Sequence, residues 1–305
     1  MLLFKANIAL LSLICRIFAN FLLRNTMIRS LTILYVVFLL LPSALSAQTK
    51  RALIIGIGIQ EDVNWPKING DNDVAYVQQM LKRVGYTDVR TLINGQATKV
   101  GIISAFGEIT NACNVGDMVY IHFSGHGQQM TDISGDEDDG WDEAWIPYDA
   151  YRKFDPQRDK GEKHLVDDEI NFLLMAIRNK IGSIGAMLVV VDACHSGDST
   201  RGDDEEETIR GIKDEFVIPG NQISKGVNLT EQWLTLSACK DYQLNQEMKN
   251  PKVGKLTYAL YSISEKGSVT MEEIHQFMQR NRGHYVQTPV LTGETSTHNL
   301  SDFIR

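Results

Sequence analysis

From residue 50 onward the chain alternates short apolar runs with segments of helical periodicity, and no other feature narrows its fold as far. "RALIIGIGI" (51–59), "VRTLI" (89–93), "DMVYIHFSG" (117–125), "AMLVVVDAC" (186–194) and "QWLTLSAC" (232–239) read as strands. Between them, "NDVAYVQQMLKRVG" (72–85) sets Val74, Val77, Leu81 and Val84 at helical spacing and stops at Gly85. "TKVGIISAFGEITNAC" (98–113) reads as a helix capped by Thr98, and 167–179, 254–264 and 270–281 read as further helices. Continuous apolar strands separated by helices predict an α/β fold whose mainly parallel sheet is covered on both faces. In such sheets binding sites gather beyond the carboxyl ends of the strands.

The N-terminus has a different character. Residues 1–47 contain Lys5, Arg16, Arg24 and Arg29 and no acid, then the apolar run "LTILYVVFLLL" (31–41) and the small-residue exit "PSALSAQ". A basic start, an apolar core and small residues near Ser46 and Ala47 predict an export signal; Met27 is a second candidate start. The competing reading is a hydrophobic segment retained as a membrane anchor. Taking four positive charges from the formal −8 leaves −12, which disfavours nucleic acid as a partner and suits basic peptides. Beyond residue 47 the cysteines are Cys113, Cys194 and Cys239, an odd number with no Cys-x-x-Cys pair, so a free thiol is expected.

Two strands end in residues with chemistry. "SGHG" (124–127) closes one and "DACHSG" (192–197) another. A nucleophilic cysteine needs a base and an oxyanion donor. His195 adjoins Cys194, but neighbours in extended chain face opposite ways, so His195 is a poor base for Cys194. His126, flanked by Gly125 and Gly127, would reach the same rim if the two strands lie side by side. The backbone N–H groups of Gly127 and Cys194 would then form the oxyanion hole.

"VYIHFSGHG" followed by "VVVDACHSG" resembles the caspase-like cysteine peptidases, in particular the metacaspase and bacterial caspase-homologue branch. The resemblance extends over about residues 50–292. It takes in "INGDNDVAYVQQMLKRVGY", "GDEDDGWDEAWIPYDA", "LVDDEINFLL", "WLTLSAC" and "GKLTYAL" in order. It implies a caspase–haemoglobinase three-layer sandwich, with a large-subunit-like part at about 50–200, a loop at about 197–226 and a small-subunit-like part at about 227–305. It implies a Cys194–His126 dyad acting through a thioester acyl-enzyme, and a pocket for a basic residue formed by Asp73, Ser124 and Asp192. Arg binds carboxylates bidentately and is favoured over Lys there. No cofactor is required for the chemistry.

Many members of the branch use calcium as an activator. The resemblance points to Asp167 and Asp168 as ligands, with Asp136 and Asp138 as further candidates. The match weakens after the nucleophile, where Arg201 stands near a ligand position and Asp198 or Asp203 would have to substitute. The polar tract 197–216, with its acidic run Asp203 to Glu207, is expected to be an exposed loop. Its Arg201, Arg210 and Lys213 are candidate self-cleavage sites for an enzyme that cuts after basic residues. The reading is therefore an exported, monomeric cysteine endopeptidase acting on basic peptides or proteins. The alternatives are a non-catalytic caspase-like module binding such peptides, and a clostripain- or gingipain-like peptidase with a different pocket.

Overall fold

A computed structural model describes residues 48–305 apart from 136, 138, 195–207, 213, 221–230 and 294–296. The chain divides into two units, Met1–Ala47 and Gln48–Arg305. The first, with the expected signal or anchor, lies outside the described residues, as do His195, Asp198, Arg201, Asp203 and Lys213. Among the described residues no helix is long and apolar enough to cross a membrane.

The second unit runs β1 (Lys50–Gly56), α1 (Gly70–Arg83), β2 (Asp88–Ile93), α2 (Lys99–Ala112), β3 (Met118–Ser124), β4 (Gly127–Thr131), β5 (Trp141–Trp145), β6 (Leu165–Val166), α3 (Asp167–Ile181) and β7 (Ala186–Asp192). It continues with β8 (Leu234–Ser237), β9 (Glu247–Met248), β10 (Val253–Gly254), α4 (Lys255–Ser264), α5 (Met271–Arg280), β11 (Val290–Gly293) and α6 (Leu300–Ile304). The central six-stranded sheet has the order β11–β8–β7–β3–β1–β2. All its pairings are parallel except that of β11 with β8.

Every residue of β3 and β7 is buried, because helices cover both faces. Successive side chains of a strand point to opposite faces, so each strand feeds two cores. Ala52, Ile54, Tyr120, Leu188 and Val190 face a core with α1, α4, α5 and α6. Leu53, Ile55, Ile121, Val189 and Val191 face a core with α2 and α3. Thr98 caps α2, its side chain accepting from the Gly101 amide at 3.1 Å.

This arrangement is an α/β sandwich of the caspase-like kind, and it sets the site at one rim. Ser124 ends β3 opposite Asp192 at the end of β7, and Gly56 ends β1 opposite Ser124. The start of α1 presses against this rim. A Cβ on Gly56 would lie 2.4 Å from Val74 Cγ2 and 2.6 Å from the Gly70 carbonyl oxygen. Only glycine permits that approach, which carries Asp73 in beside Ser124.

Two features depart from the sequence-based expectation. A separate antiparallel sheet, β4–β5–β6, follows directly after His126. The tract 197–216, expected to be exposed, is buried toward its C-terminal end, where Arg210 and Phe216 are fully enclosed and Ile212 is 9% exposed. Partners distant in sequence cause this burial: carboxylates enclose Arg210, and an apolar cluster on the β4–β6 sheet takes Ile212 and Phe216.

Candidate active site

His126 and Cys194 each stand two residues beyond the Ser124–Asp192 register pair, so the strand pairing brings both to one rim. Trp65 stacks on the His126 ring with centroids 5.0 Å apart. His126 Nε2 lies 2.8 Å from the Pro66 carbonyl oxygen. A carbonyl can only accept, so Nε2 carries the proton there and donates it. Nδ1 is then the bare nitrogen, and it is buried without a hydrogen-bond partner. Burial, with smaller contributions from Arg210 and Arg152, lowers the His126 pKa to about 4 against the opposing Pro66 hydrogen bond. The imidazole is therefore neutral near pH 7, as a base must be.

Cys194 is buried, and its thiol donates to the Gln243 carbonyl at 3.0 Å. Cys239 reaches the same carbonyl at 3.4 Å. A hydrogen bond between Cys239 and Cys194, and then burial, push the Cys239 thiol far up, so it is held as a neutral thiol. Gly127 opens β4, and the Cys194 backbone lies just past the end of β7.

Asp73, Ser124 and Asp192 converge on the guanidinium of Arg210, all four fully buried. Arg210 Nη1 donates to Asp73 Oδ2 at 2.7 Å and Nη2 to Asp73 Oδ1 at 3.1 Å, a bidentate pair. Nη1 also reaches the Ser124 hydroxyl, and Nε donates to Glu247 Oε1 at 3.0 Å. The Ser124 hydroxyl donates to Asp73. Behind Asp192, the Asn245 amide donates at 2.7 Å and the Thr257 backbone N–H at 2.9 Å. Thr257 lies in the first turn of α4, where the helix dipole favours nearby anions.

Three carboxylates around one guanidinium leave negative charge in excess. Burial, and then the Asp192 carboxylate, keep the Asp73 pKa raised although Arg210 pulls it down. Asp192 is also penalised by burial, but Arg210 and the Asn245 and Thr257 hydrogen bonds outweigh that and lower it. Arg210 is held firmly charged, since Asp73, Asp192 and Glu247 together overcome its burial.

Several members of this constellation were not anticipated from the sequence. Glu247, Asn245 and Gln243 lie in "CKDYQLNQE", which follows β8. Its position past a strand's carboxyl end was the available signal. Pro66 and Trp65 carried no comparable one.

Of the acids assigned to calcium, Asp167 lines a cavity together with Glu143, Cys194 and Cys239. Burial, then repulsion from Asp168, raise Asp167 at the start of α3 to about 6. Burial raises Asp142 on β5 to about 7, with Asp132, Asp167 and Asp168 adding repulsion. Buried, mutually repelling carboxylates are the donor chemistry of a hard cation. Asp136 and Asp138 lie outside the described residues. Among the described residues no group of three or more His, Cys, Asp or Glu is arranged to hold a metal ion.

Comparisons with known proteins bear on the fold and the family. Residues 50–201 match the family model described as metacaspase, peptidase C14 domain. Metacaspase-1A of Aspergillus oryzae is 32% identical over 159 residues, covering 49% of this chain and 35% of that protein. Metacaspase-2 of Arabidopsis thaliana is 27% identical over 268 residues, covering 77% of this chain and 58% of that protein. A crystal structure of a Geobacter sulfurreducens protein superposes with a TM-score of 0.60 and 25% identity, covering 84% of this chain and 97% of that one. The fold is that of the caspase-like α/β proteins. Within that class the chain belongs to the metacaspase family. It spans about a third of the length of the fungal relative and somewhat over half of the plant one.

Proposed function

We propose that the protein is a cysteine endopeptidase that hydrolyses the peptide bond after an arginine, and that it processes itself at Arg210–Gly211. The carrying observation is Arg210 itself: a guanidinium from the chain's own loop fills a closed pocket of acids, and the next residue touches Cys194. The acceptors around Nε, Nη1 and Nη2 use donors that a lysine lacks, so Arg is preferred to Lys.

In this reading the Cys194 thiol gives its proton to His126 Nδ1, and the sulfur attacks the arginyl carbonyl carbon. The Gly127 and Cys194 backbone N–H groups stabilise the oxyanion. The C–N bond breaks, and His126 passes its proton to the departing amine. Water deprotonated by His126 then attacks the thioester, releasing the arginyl carboxylate and the Cys194 thiol. Pro66 and Trp65 hold the imidazole for both transfers.

Calcium enters as an activator held by Asp167 and Asp168, with Asp136 and Asp138 as further ligands, and takes no part in the chemistry. Export through residues 1–47 and a monomeric state complete the proposal, with basic peptides or proteins as partners and no nucleic acid. The deciding experiment uses an internally quenched peptide copied from residues 208–216. Wild type should cut it after Arg, and Cys194→Ala should not. Failure of wild type to cut it, with and without calcium and after limited proteolysis, refutes the proposal.

A further inference from the structure

Residues on both sides of Arg210 are gripped as closely as Arg210 itself. On the amino side, the Arg210 amide donates to the Asn245 carbonyl at 2.9 Å and the Glu247 amide to the Thr208 carbonyl at 3.0 Å. This makes an antiparallel bridge between Ile209 and Gln246. The Ile209 side chain packs into a small apolar cluster with Cys194, Cys239, Leu244 and Tyr285.

On the carboxyl side there is no room for a side chain at the first position. A Cβ on Gly211 would lie 2.8 Å from the Cys194 carbonyl oxygen and 2.9 Å from Cys194 Cβ. Both atoms belong to the nucleophile's own residue at the end of a buried strand, so neither can move aside without shifting the nucleophile. The second position is apolar: Ile212 belongs to a cluster with Trp65, Met130, Ile146 and Phe216. Trp65 is also the residue stacked on His126, so this subsite and the base share a wall.

From these contacts we infer that the site reads four residues, and that its substrates are Arg–Gly bonds flanked on each side by an aliphatic residue. This deepens the proposed peptidase activity and rests on it. Beyond the four residues, the chain's own segment has anchors that a substrate does not need. Asp214 accepts from Arg152 Nη2 at 2.8 Å, and Phe216 joins the edge of β4 through its amide to Gln129 O at 2.8 Å and its carbonyl to the Thr131 amide at 3.0 Å. These hold the loop in place while residues 209–212 present the bond. The rule also ranks the chain's basic sites. Arg210 has Ile209 before it and Gly211–Ile212 after it, whereas Arg201–Gly202 is followed by Asp203 and Lys213 by Asp214.

Two measurements on the full chain test this. N-terminal sequencing and intact mass of the self-processed protein should give a new terminus at Gly211, and none at Gly202 or Asp214. In trans, quenched peptides carrying Ile-Arg-Gly-Ile should be cut with a kcat/KM roughly 10-fold or more above Ile-Arg-Ala-Ile, because the added methyl overpacks the site. Asp in place of either Ile should cost roughly 10–100-fold. Equal cleavage of the Gly and Ala peptides, or self-cleavage at Arg201 or Lys213, overturns the four-residue rule and leaves an arginine-directed peptidase standing. No cleavage of any peptide, the Ile-Arg-Gly-Ile parent included, overturns both.

Discussion

Replacing Arg210 by Ala in a Cys194→Ala background separates pocket energetics from catalysis. Arg210 is fully enclosed, and its removal leaves Asp73, Asp192 and Glu247 facing one another without their cation. Deleting one partner of a buried ion pair costs about 3–5 kcal/mol. For a domain of this size each kcal/mol moves Tm by about 2–4 °C, so the melting temperature should fall by roughly 6–20 °C. The loss depends on pH in a defined direction. Without Arg210 the folded-state pKa values of Asp73 and Asp192 rise, so their stabilising contribution is present at low pH and lost as pH rises through those values. The deficit at pH 5 should therefore be smaller than at pH 7.5. The assay is differential scanning calorimetry of both proteins with and without argininamide. Argininamide should stabilise the emptied pocket, by about 2.7 kcal/mol at 100 times its Kd, and leave the parent unchanged. An unchanged Tm on removing Arg210, or equal stabilisation of both proteins by argininamide, would refute the assignment of this cluster as a guanidinium pocket.

Glu247→Gln weakens a charge-assisted bond to Nε, so kcat/KM for Arg peptides should fall roughly 10-fold while Lys peptides change little, measured on paired substrates. Burial lowers His122 to about 4, with Asp192 opposing and Arg210 assisting. Its unfolded form takes up a proton first, so it contributes stability that is lost as pH falls from about 6.5 toward 4. His122→Phe should remove about 2 kcal/mol from the stability difference between pH 7 and pH 5, read from urea melts at each pH. If calcium binds at Asp167 and Asp168, millimolar calcium should raise Tm in wild type and not in Asp167→Asn. Equal melting of wild type in calcium and in EDTA would remove calcium from the proposal.

Much of the fold was legible because its signal is local. β1, β3 and β7 of the central sheet are near-continuous apolar runs, whereas β11 carries no such run, and α2 begins at the Thr98 cap the sequence marks. Asp192 and Cys194 were legible for the same reason, since a polar pair ending an apolar strand stands out within one stretch of chain. β6, β9 and β10 are each two residues long, too short for any periodicity; β6 pairs with β5, and β9 and β10 pair with each other. The largest departure, the burial of Arg210, Ile212 and Phe216, comes from partners distant in sequence. "TIRGIKDEF" looks like solvated loop from its composition, and partners elsewhere in the chain bury its Arg210: Asp73, 137 residues before it, and Glu247, 37 after it.

Those partners also explain why the loop is held so firmly before any substrate arrives. A pocket with Asp73, Asp192 and Glu247 buried together is costly when empty, because like charges in a poorly solvated site repel and cannot be relieved by water. The helix dipole at α4 and the hydrogen bonds from Asn245 and Thr257 offset part of that cost at Asp192. Asp73, raised by burial and by Asp192, is the acid that still depends most on a cation. Selectivity for arginine and retention of the chain's own Arg210 are thus one property, since the acids that would recognise a substrate also bind the loop. A substrate arginine must displace a guanidinium with identical contacts and the advantage of being tethered. Cutting after Arg210 removes that tether on one side, and a freed chain end competes far less well than a closed loop. On this reasoning activity toward added peptides should appear only after the Arg210–Gly211 bond is cut, with a lag equal to the time course of self-processing. Full activity of intact chain from the first turnover would show that the tether does not control access.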